Sequence, residues 1–214
     1  MDSARALAAL GGLVFVFASI LIGIRLLALA TRTHRLPELC IGLALLLMGG
    51  LGYPLIMTAR MAVRLGAPAR VGVMAVAVVL LGVGTLAVGV FNWQVCRPAE
   101  RWSFWVVVAA ALSMLACMGL QLVDPGLEAA AFHNRGLGFR VFRLHSALLS
   151  GWGAYESLRA WARLRRRLRL GLADAVVTER VLLWGIASVA STIVGGTSTI
   201  AGFLGINFAA AFQS

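Results

Sequence analysis

Residues 6–30 of the chain read ALAALGGLVFVFASILIGIRLLALA, an apolar run in which Arg25 is the only charged residue. A helix that spans a bilayer needs about 20 mostly apolar residues, so this stretch predicts a transmembrane helix. The rest of the chain has the same character, since 61% of its 214 residues are hydrophobic, 13% are charged and the mean hydropathy is +0.92. Soluble domains are about half apolar and about a quarter charged. The composition therefore predicts an integral membrane protein.

The same length criterion divides the chain into seven predicted spans with short loops between them. Pro37 suits the first turn of the second span, where its missing N–H costs nothing, and Gly195-Gly196 predicts a break between the last two spans. Six spans are the alternative, with a final span from Val181 to about Ile200. The seven spans are approximately residues 6–30, 36–58, 71–93, 102–123, 140–161, 174–194 and 198–212. The predicted fold is an all-α transmembrane domain over 1–214, a compact bundle of seven helices.

The distribution of arginine predicts the orientation of the bundle. Cytoplasmic loops of membrane proteins are enriched in basic residues, and the loops after spans one, three and five hold more arginines than the opposite side. These are Arg32, Arg35, Arg97, Arg101, Arg163, Arg165, Arg166, Arg167 and Arg169. We therefore expect these three loops to be cytoplasmic in a cell membrane and the N-terminus to lie outside.

Composition and motifs exclude several functions. All 19 basic residues are arginine, so chemistry that needs a lysine amine is excluded. The net charge of +11 lies mainly between apolar runs, which does not favour nucleic-acid binding. The three cysteines lack metal-site or disulfide spacing, and we expect no metal and no cofactor. No hydrolase, nucleotide-binding or paired-carboxylate motif occurs, and we expect neither an aspartate pair nor a Ser/His pair on facing spans. An enzyme is therefore the least favoured class.

Polar residues within the predicted spans are the candidates for function, because an unpaired charge in lipid is costly. On span five, His145 and Glu156 share one helix face with Arg163, about 10 Å further along than Glu156 at 1.5 Å per residue. Arg180 lies about 9 Å into span six by the same rise. We expect Glu156 to pair with Arg180, and Arg25 and Glu38 to complete a buried polar layer. The alternatives are that Glu156 pairs with Arg159 one turn away, and that Arg25 extends to the lipid headgroups.

Small and hydroxylated residues mark two further features. The segment Gly195–Thr199 predicts a broken helix, and broken helices commonly bind ions or small solutes through freed backbone groups; an ordinary turn is the alternative. In span two, Pro54 should kink the helix and free a carbonyl one turn earlier. Tyr53, directly before it, could donate its hydroxyl into a cavity or belong to the interfacial aromatic belt. The predicted substrate or ion pathway comprises Tyr53, His145, Glu156, Arg180, Ser191 and Thr199.

Two functions follow as hypotheses. The first is a carrier or channel for a small solute or ion, with a polar layer among spans two, five and six. The alternative is a seven-helix sensor, receptor or membrane-complex subunit that contacts anionic inner-leaflet lipid or a partner protein. The contact residues would then be Arg163, Arg165, Arg166, Arg167 and Arg169. Small-residue stripes on the helices would serve a homo-oligomer or a larger complex equally well.

Overall fold

The computed structural model describes residues 2–61, 66–123 and 137–204, which are almost entirely helical and contain no strand. The chain divides into two units, Met1–Gln94 and Val95–Ser214. Within the described residues, five helices are long and apolar enough to cross a membrane. These stretches are Leu10–Thr33, Leu36–Ala59, Ala69–Cys96, Arg101–Gly119 and Ala175–Thr197.

Unit 1 consists of three long helical rods. The first rod is α1 (Asp2–Thr33), and the third is α4 (Ala67–Phe91), which continues as a short π-helix, Asn92–Cys96. The second rod joins α2 (Leu36–Ala44), a π-helical segment (Leu45–Gly52) and α3 (Tyr53–Met61) without interruption. It packs against both α1 and α4, so the core of unit 1 follows the second rod.

The π-helical segment accommodates Pro54 in the second rod. Proline has no N–H to donate to the carbonyl four residues earlier, and the N–H of Tyr53 bonds to the carbonyl of Met48, five residues earlier. The rod therefore has wide turns over residues 45–52, just before Pro54, the residue at which the sequence predicts a kink. Wide turns of this kind occur frequently at functional sites.

Glycines of the second rod allow α1 and α4 to approach its backbone closely. A Cβ on Gly42 would lie 3.0 Å from Leu27 Cγ of α1, and a Cβ on Gly50 would lie 2.9 Å from Ile20 Cγ1. A Cβ on Gly49 would overlap the side chain of Ser19, which is itself 3% exposed. Close approach through small residues is the usual way in which helices associate in membranes.

Unit 2 contains three long helices, α5 (Arg101–Val123), α6 (Leu137–Arg169) and α7 (Ala175–Phe203). α6 packs against both of the others, most extensively against α7. It ends in a Schellman motif, in which Gly171 has φ +70° and the N–H of Leu172 bonds to the carbonyl of Arg167 at 2.9 Å. Asp174 then caps α7 by accepting a hydrogen bond of 2.7 Å from the N–H of Val176.

α6 coincides with the predicted fifth span but is not among the five apolar stretches. Its sequence is rich in arginine and other polar residues, whereas α5 and α7 each contain an apolar stretch of spanning length. α6 is thus the polar helix of unit 2, in contact with two apolar neighbours.

The predicted break at Gly195-Gly196 is wrong, because α7 continues through both glycines to Phe203. The hydroxyl of Thr199 donates to the carbonyl of Gly195 at 2.7 Å, and that of Thr197 donates to the carbonyl of Ile193 at 2.8 Å. These hydroxyls are therefore satisfied by their own helix. The remainder of the predicted seventh span, from residue 205, and the loop at 124–136 lie outside the described residues.

We expect Gly49→Ala to destabilise the protein by about 1–3 kcal/mol, because the new methyl group would meet Ser19 in a closely packed contact. Gly72→Ala is the matched control, since nothing lies within 4 Å of a Cβ at that position. The free energy of unfolding in detergent micelles measures both effects. In a Ser19→Gly background, the cost of Gly49→Ala should fall; equal costs for Gly49→Ala and Gly72→Ala would contradict the close contact.

Candidate functional site

One guanidinium in unit 2 holds two carboxylates. Nε of Arg97 donates to Oε1 of Glu156 at 2.8 Å, and NH1 of the same side chain donates to Oε1 of Glu100 at 2.5 Å. Glu156 is 3% exposed and the Arg97 side chain is 22% exposed. A buried carboxylate is costly unless it is paired, so Arg97 is what allows Glu156 to lie inside unit 2.

A tight turn before α5 positions Arg97. The N–H of Glu100 bonds to the carbonyl of Arg97 at 3.2 Å, which closes the turn around Pro98 and Ala99. The fully buried hydroxyl of Ser103 lies 3.0 Å from the carbonyl of Arg97 and 2.5 Å from that of Glu100. The first turn of α5 thereby fixes the backbone from which Arg97 reaches α6.

Hydrogen bonding stabilises the charged forms of Arg97 and Glu100. The indole N–H of Trp102 and the guanidinium of Arg97 both donate to the carboxylate of Glu100, and they hold its pKa below the usual value. The bonds to Glu100 and Glu156 raise the pKa of Arg97. This turn is therefore a charged cluster in which each acid has a defined donor.

A half-open cavity of about 180 Å³ adjoins this cluster. Glu156, Arg159 and Arg163 line it from α6, and the segment from Cys96 to Glu100 lines it from the other side. Arg159 and Arg163 are both exposed. Among the residues that the structure describes, neither of them is paired with a carboxylate.

A second polar contact joins α5 and α6. Oγ of Ser113 lies 2.6 Å from Nε2 of His145, and Nδ1 of His145 lies 2.7 Å from the carbonyl oxygen of Val141. Since a carbonyl oxygen can only accept, Nδ1 carries a proton in the neutral ring, and Nε2 then accepts from Ser113. The expectation that no Ser/His pair lies on facing helices is therefore wrong.

The Ser113–His145 contact is satisfied in both protonation states of the ring. When Nε2 is also protonated, it donates to Oγ of Ser113, and the serine hydroxyl donates to the carbonyl of Ala110 at 3.0 Å. Each protonation state of the ring would therefore have hydrogen-bond partners among the neighbouring groups. Serine and histidine alone are an incomplete hydrolytic site, because that chemistry also needs an oxyanion hole and an orienting third group.

Trp152 lies between these two contacts along α6. It follows His145 by seven residues and precedes Glu156 by four, and these spacings place all three residues on one helix face. Its ring lies 5.6 Å from that of Trp102, and its buried Nε1 has no hydrogen-bond acceptor within the described part of the chain. We call His145, Trp152 and Glu156 the polar face of α6.

The predicted Glu156–Arg180 pair is replaced by Glu156–Arg97. Arg180 lies exposed on α7, whereas the turn before α5 brings Arg97 to the polar face of α6. From the sequence alone, Arg97 is expected only to be a loop charge. The useful signal in the sequence is the short Arg-Pro-Ala-Glu turn directly before α5. A turn this short keeps Arg97 close to the beginning of α5.

The other members of the predicted layer belong to unit 1. Arg25 is exposed on α1, which contradicts its predicted burial. Glu38 is half-buried, and its Oε2 is buried with no hydrogen-bond partner in the residues the structure describes. Tyr53 packs edge-on against Phe15 of α1, with ring centroids 5.9 Å apart.

The predicted hydroxyl and arginine groups also have defined places. Ser191 is exposed, and Thr199 is buried with its hydroxyl bonded inside α7. The basic end of α6 is exposed, and the guanidinium of Arg165 lies 5.2 Å from the ring centroid of Trp161. The exposed arginines of this segment are Arg163, Arg165, Arg166, Arg167 and Arg169.

No group of three or more potential metal-binding side chains occurs in the described ranges.

Comparisons of the chain with protein-family models, curated proteins and solved structures found no match.

A double-mutant cycle separates the observed ion pair from the predicted one. We expect Arg97→Gln and Glu156→Gln to show a coupling of about 1–3 kcal/mol in the free energy of unfolding, because the side chains are in contact. Arg180→Gln and Glu156→Gln should be additive within about 0.5 kcal/mol. A larger coupling for positions 156 and 180 than for positions 97 and 156 would contradict the observed pairing.

The lowered pKa of Glu100 makes stability depend on pH. Because its pKa in the folded protein lies below the ordinary value of 4.5, its contribution is present above about pH 4.5 and is lost as the pH falls through the lowered value. We expect Glu100→Gln to lower the thermal unfolding midpoint at pH 7 and to have a progressively smaller effect as the pH is lowered below 4.5. Glu179→Gln is the control, since Glu179 is exposed on α7; the same effect at both positions would exclude a specific role for Glu100.

Proposed function

We propose that this protein is a multi-pass membrane carrier for a small ion or solute, and that the polar face of α6 forms part of its pathway. The protonatable His145, with hydrogen-bond partners for both of its states, carries this proposal. Protons are accordingly the first ion to test.

The exposed surface of the apolar helices supports membrane insertion. On α1, large apolar side chains are more than half exposed, including Leu13, Phe17 and Leu21 at 57%, 64% and 68%. Leu112 and Leu115 of α5 are 62% and 64% exposed. Soluble monomers rarely expose large continuous apolar surfaces, whereas such surfaces are required in contact with lipid.

The depth of His145 supports a role inside the bilayer. Its partner Ser113 lies twelve residues after Arg101 and six before Gly119, or about 18 Å and 9 Å from the ends of that apolar stretch at 1.5 Å per residue. Ionisable groups at such positions commonly belong to ion or proton pathways.

The polar face provides successive sites along α6. Glu156 lies next to the half-open cavity, and His145 lies about 16 Å away along the helix axis by the same rise. The unpartnered Nε1 of Trp152 lies between them and offers a donor for water or an anion. A small ion moving along α6 would thus meet charged or hydrogen-bonding groups at both ends and in the middle.

The proposal narrows the pathway predicted from the sequence. Within unit 2 it retains His145 and Glu156 and adds Ser113 and Trp152. Ser191 and Arg180 are exposed on α7, and the hydroxyl of Thr199 is already bonded to its own helix, so none of the three is required.

Proton flux into proteoliposomes tests the proposal directly. The full chain is reconstituted with a trapped pH-sensitive dye, and acidification of the lumen is followed after an imposed potassium diffusion potential. We expect His145→Asn to reduce the protein-dependent rate to about a tenth or less. His34→Asn, in the linker between α1 and α2, is the matched control and should retain the rate.

Two results would contradict proton carriage. One is a rate for the unaltered protein no higher than that of protein-free vesicles. The other is an equal loss in His145→Asn and His34→Asn. Circular dichroism of each reconstituted variant verifies that its helices are intact.

A sensor or complex subunit is the second candidate, favoured by the exposed basic end of α6. Residues 163–169 continue the helix beyond the cavity and present five arginines to the surroundings. This role predicts a stable partner that is lost when those arginines are neutralised, together with no ion flux. The flux measurement thus discriminates between the two candidates.

A further inference from the structure

Three arginines line the cavity in unit 2, and of these three only Arg97 forms salt bridges among the described residues, while the charge of Arg159 also helps to lower the pKa of Glu100. Arg97 has two acidic partners, whereas Arg159 and Arg163 line the same cavity and pair with no carboxylate in the described ranges of the chain. Counting Glu100 and Glu156, the lining holds three cationic and two anionic side chains. The excess charge is positive and is concentrated on α6.

The two unpaired arginines are neighbours on the helix. Arg163 follows Arg159 by four positions, so the Cβ atoms of the two residues lie about 5–6 Å apart. Like charges at this spacing destabilise a helix, and an anion bound by both would remove that repulsion. Guanidinium groups suit phosphate in particular, because their planar N–H donors bind its oxygens in pairs.

The size of the cavity limits the ligand. Its volume of about 180 Å³ is below the roughly 300–1,000 Å³ of pockets that enclose drug-sized molecules. A phosphate group with a small substituent fits this limit, and the half-open mouth allows the remainder of a larger molecule to stay outside.

The location of the cavity also favours a phosphate. It lies beside the turn between the apolar stretches Ala69–Cys96 and Arg101–Gly119, where those stretches end and begin. If these helices span a bilayer, their ends lie at the level of the lipid headgroups. Trp102, exposed by 46% at the start of α5, has the position typical of interfacial tryptophans.

We propose that Arg159 and Arg163 form a binding site for a phosphate-bearing anion in this cavity. The shared chemistry is one phosphate group held between two guanidiniums; its source is either an anionic phospholipid headgroup or a soluble phosphate. Arg97 is already paired with Glu156 and Glu100, so the guanidiniums that bind the ligand are those of Arg159 and Arg163 on α6. This site does not depend on the proposed ion transport.

Binding to the full chain in neutral detergent micelles tests the proposal. Phosphatidylglycerol, phosphatidylcholine and inorganic phosphate are titrated separately, and the thermal unfolding midpoint is followed to saturation. Ligands that bind the folded state raise this midpoint. We expect saturable binding of phosphatidylglycerol or of inorganic phosphate, and the more strongly bound of the two identifies the source.

Two double variants with equal loss of charge show where the anion binds. R159Q/R163Q should weaken binding about tenfold or more, the effect of losing about 1.4 kcal/mol. R166Q/R169Q lies on the exposed end of α6, outside the cavity lining, and should change binding by about twofold or less. Both pairs are exposed, so neither variant removes a buried contact.

Three outcomes would overturn the site. Equal weakening in both double variants would show a diffuse attraction to the basic helix. Equal binding of phosphatidylcholine and phosphatidylglycerol in the unaltered protein would show that negative charge is not recognised. Absence of saturable binding by both phosphatidylglycerol and inorganic phosphate would exclude a phosphate site.

Discussion

The contact between Arg97 and Glu156 is the constraint on which unit 2 depends. A carboxylate that is 3% exposed needs a cation, and Arg97 supplies it from the turn that precedes α5. Glu100, Trp102 and Ser103 then hold that turn in place. This ion pair therefore joins the turn before α5 to α6. Because the turn and α6 meet there, both of them line the adjacent cavity.

α6 combines packing surfaces with ionisable and polar side chains on one helix. Its small and apolar residues pack against α5 and α7, yet the same helix holds His145, Trp152 and Glu156. A helix of this composition is poorly suited to face lipid on its own. Contact with two apolar neighbours gives its polar groups partners within protein, as the bonds to Ser113 and Arg97 show.

The sequence was sufficient to predict what depends on composition and local chemistry. Apolar runs predicted helices of spanning length, and Glu156 stood out as a charge that had to be paired. The partner was not predictable, because helix spacing gives depth along a helix but not which neighbour faces it. Arg180 is predicted about 9 Å inside span six and Arg97 in the loop after span three, yet the turn at Pro98 brings Arg97 to Glu156. The glycine pair in α7 does not break the helix, and the neighbouring threonine hydroxyls bond to carbonyls of that same helix.

The wide turns at residues 45–52 change which residues of the second rod of unit 1 share a helix face. Each residue in a π-helix advances the chain through a smaller angle than in an α-helix, so the faces of α2 and α3 are out of phase with each other. A helical wheel drawn from Leu36 to Met61 would misplace one half of the rod. A cysteine-accessibility scan along it should show two periodic patterns with a phase shift between them, and the shift would locate the wide turns in the folded protein.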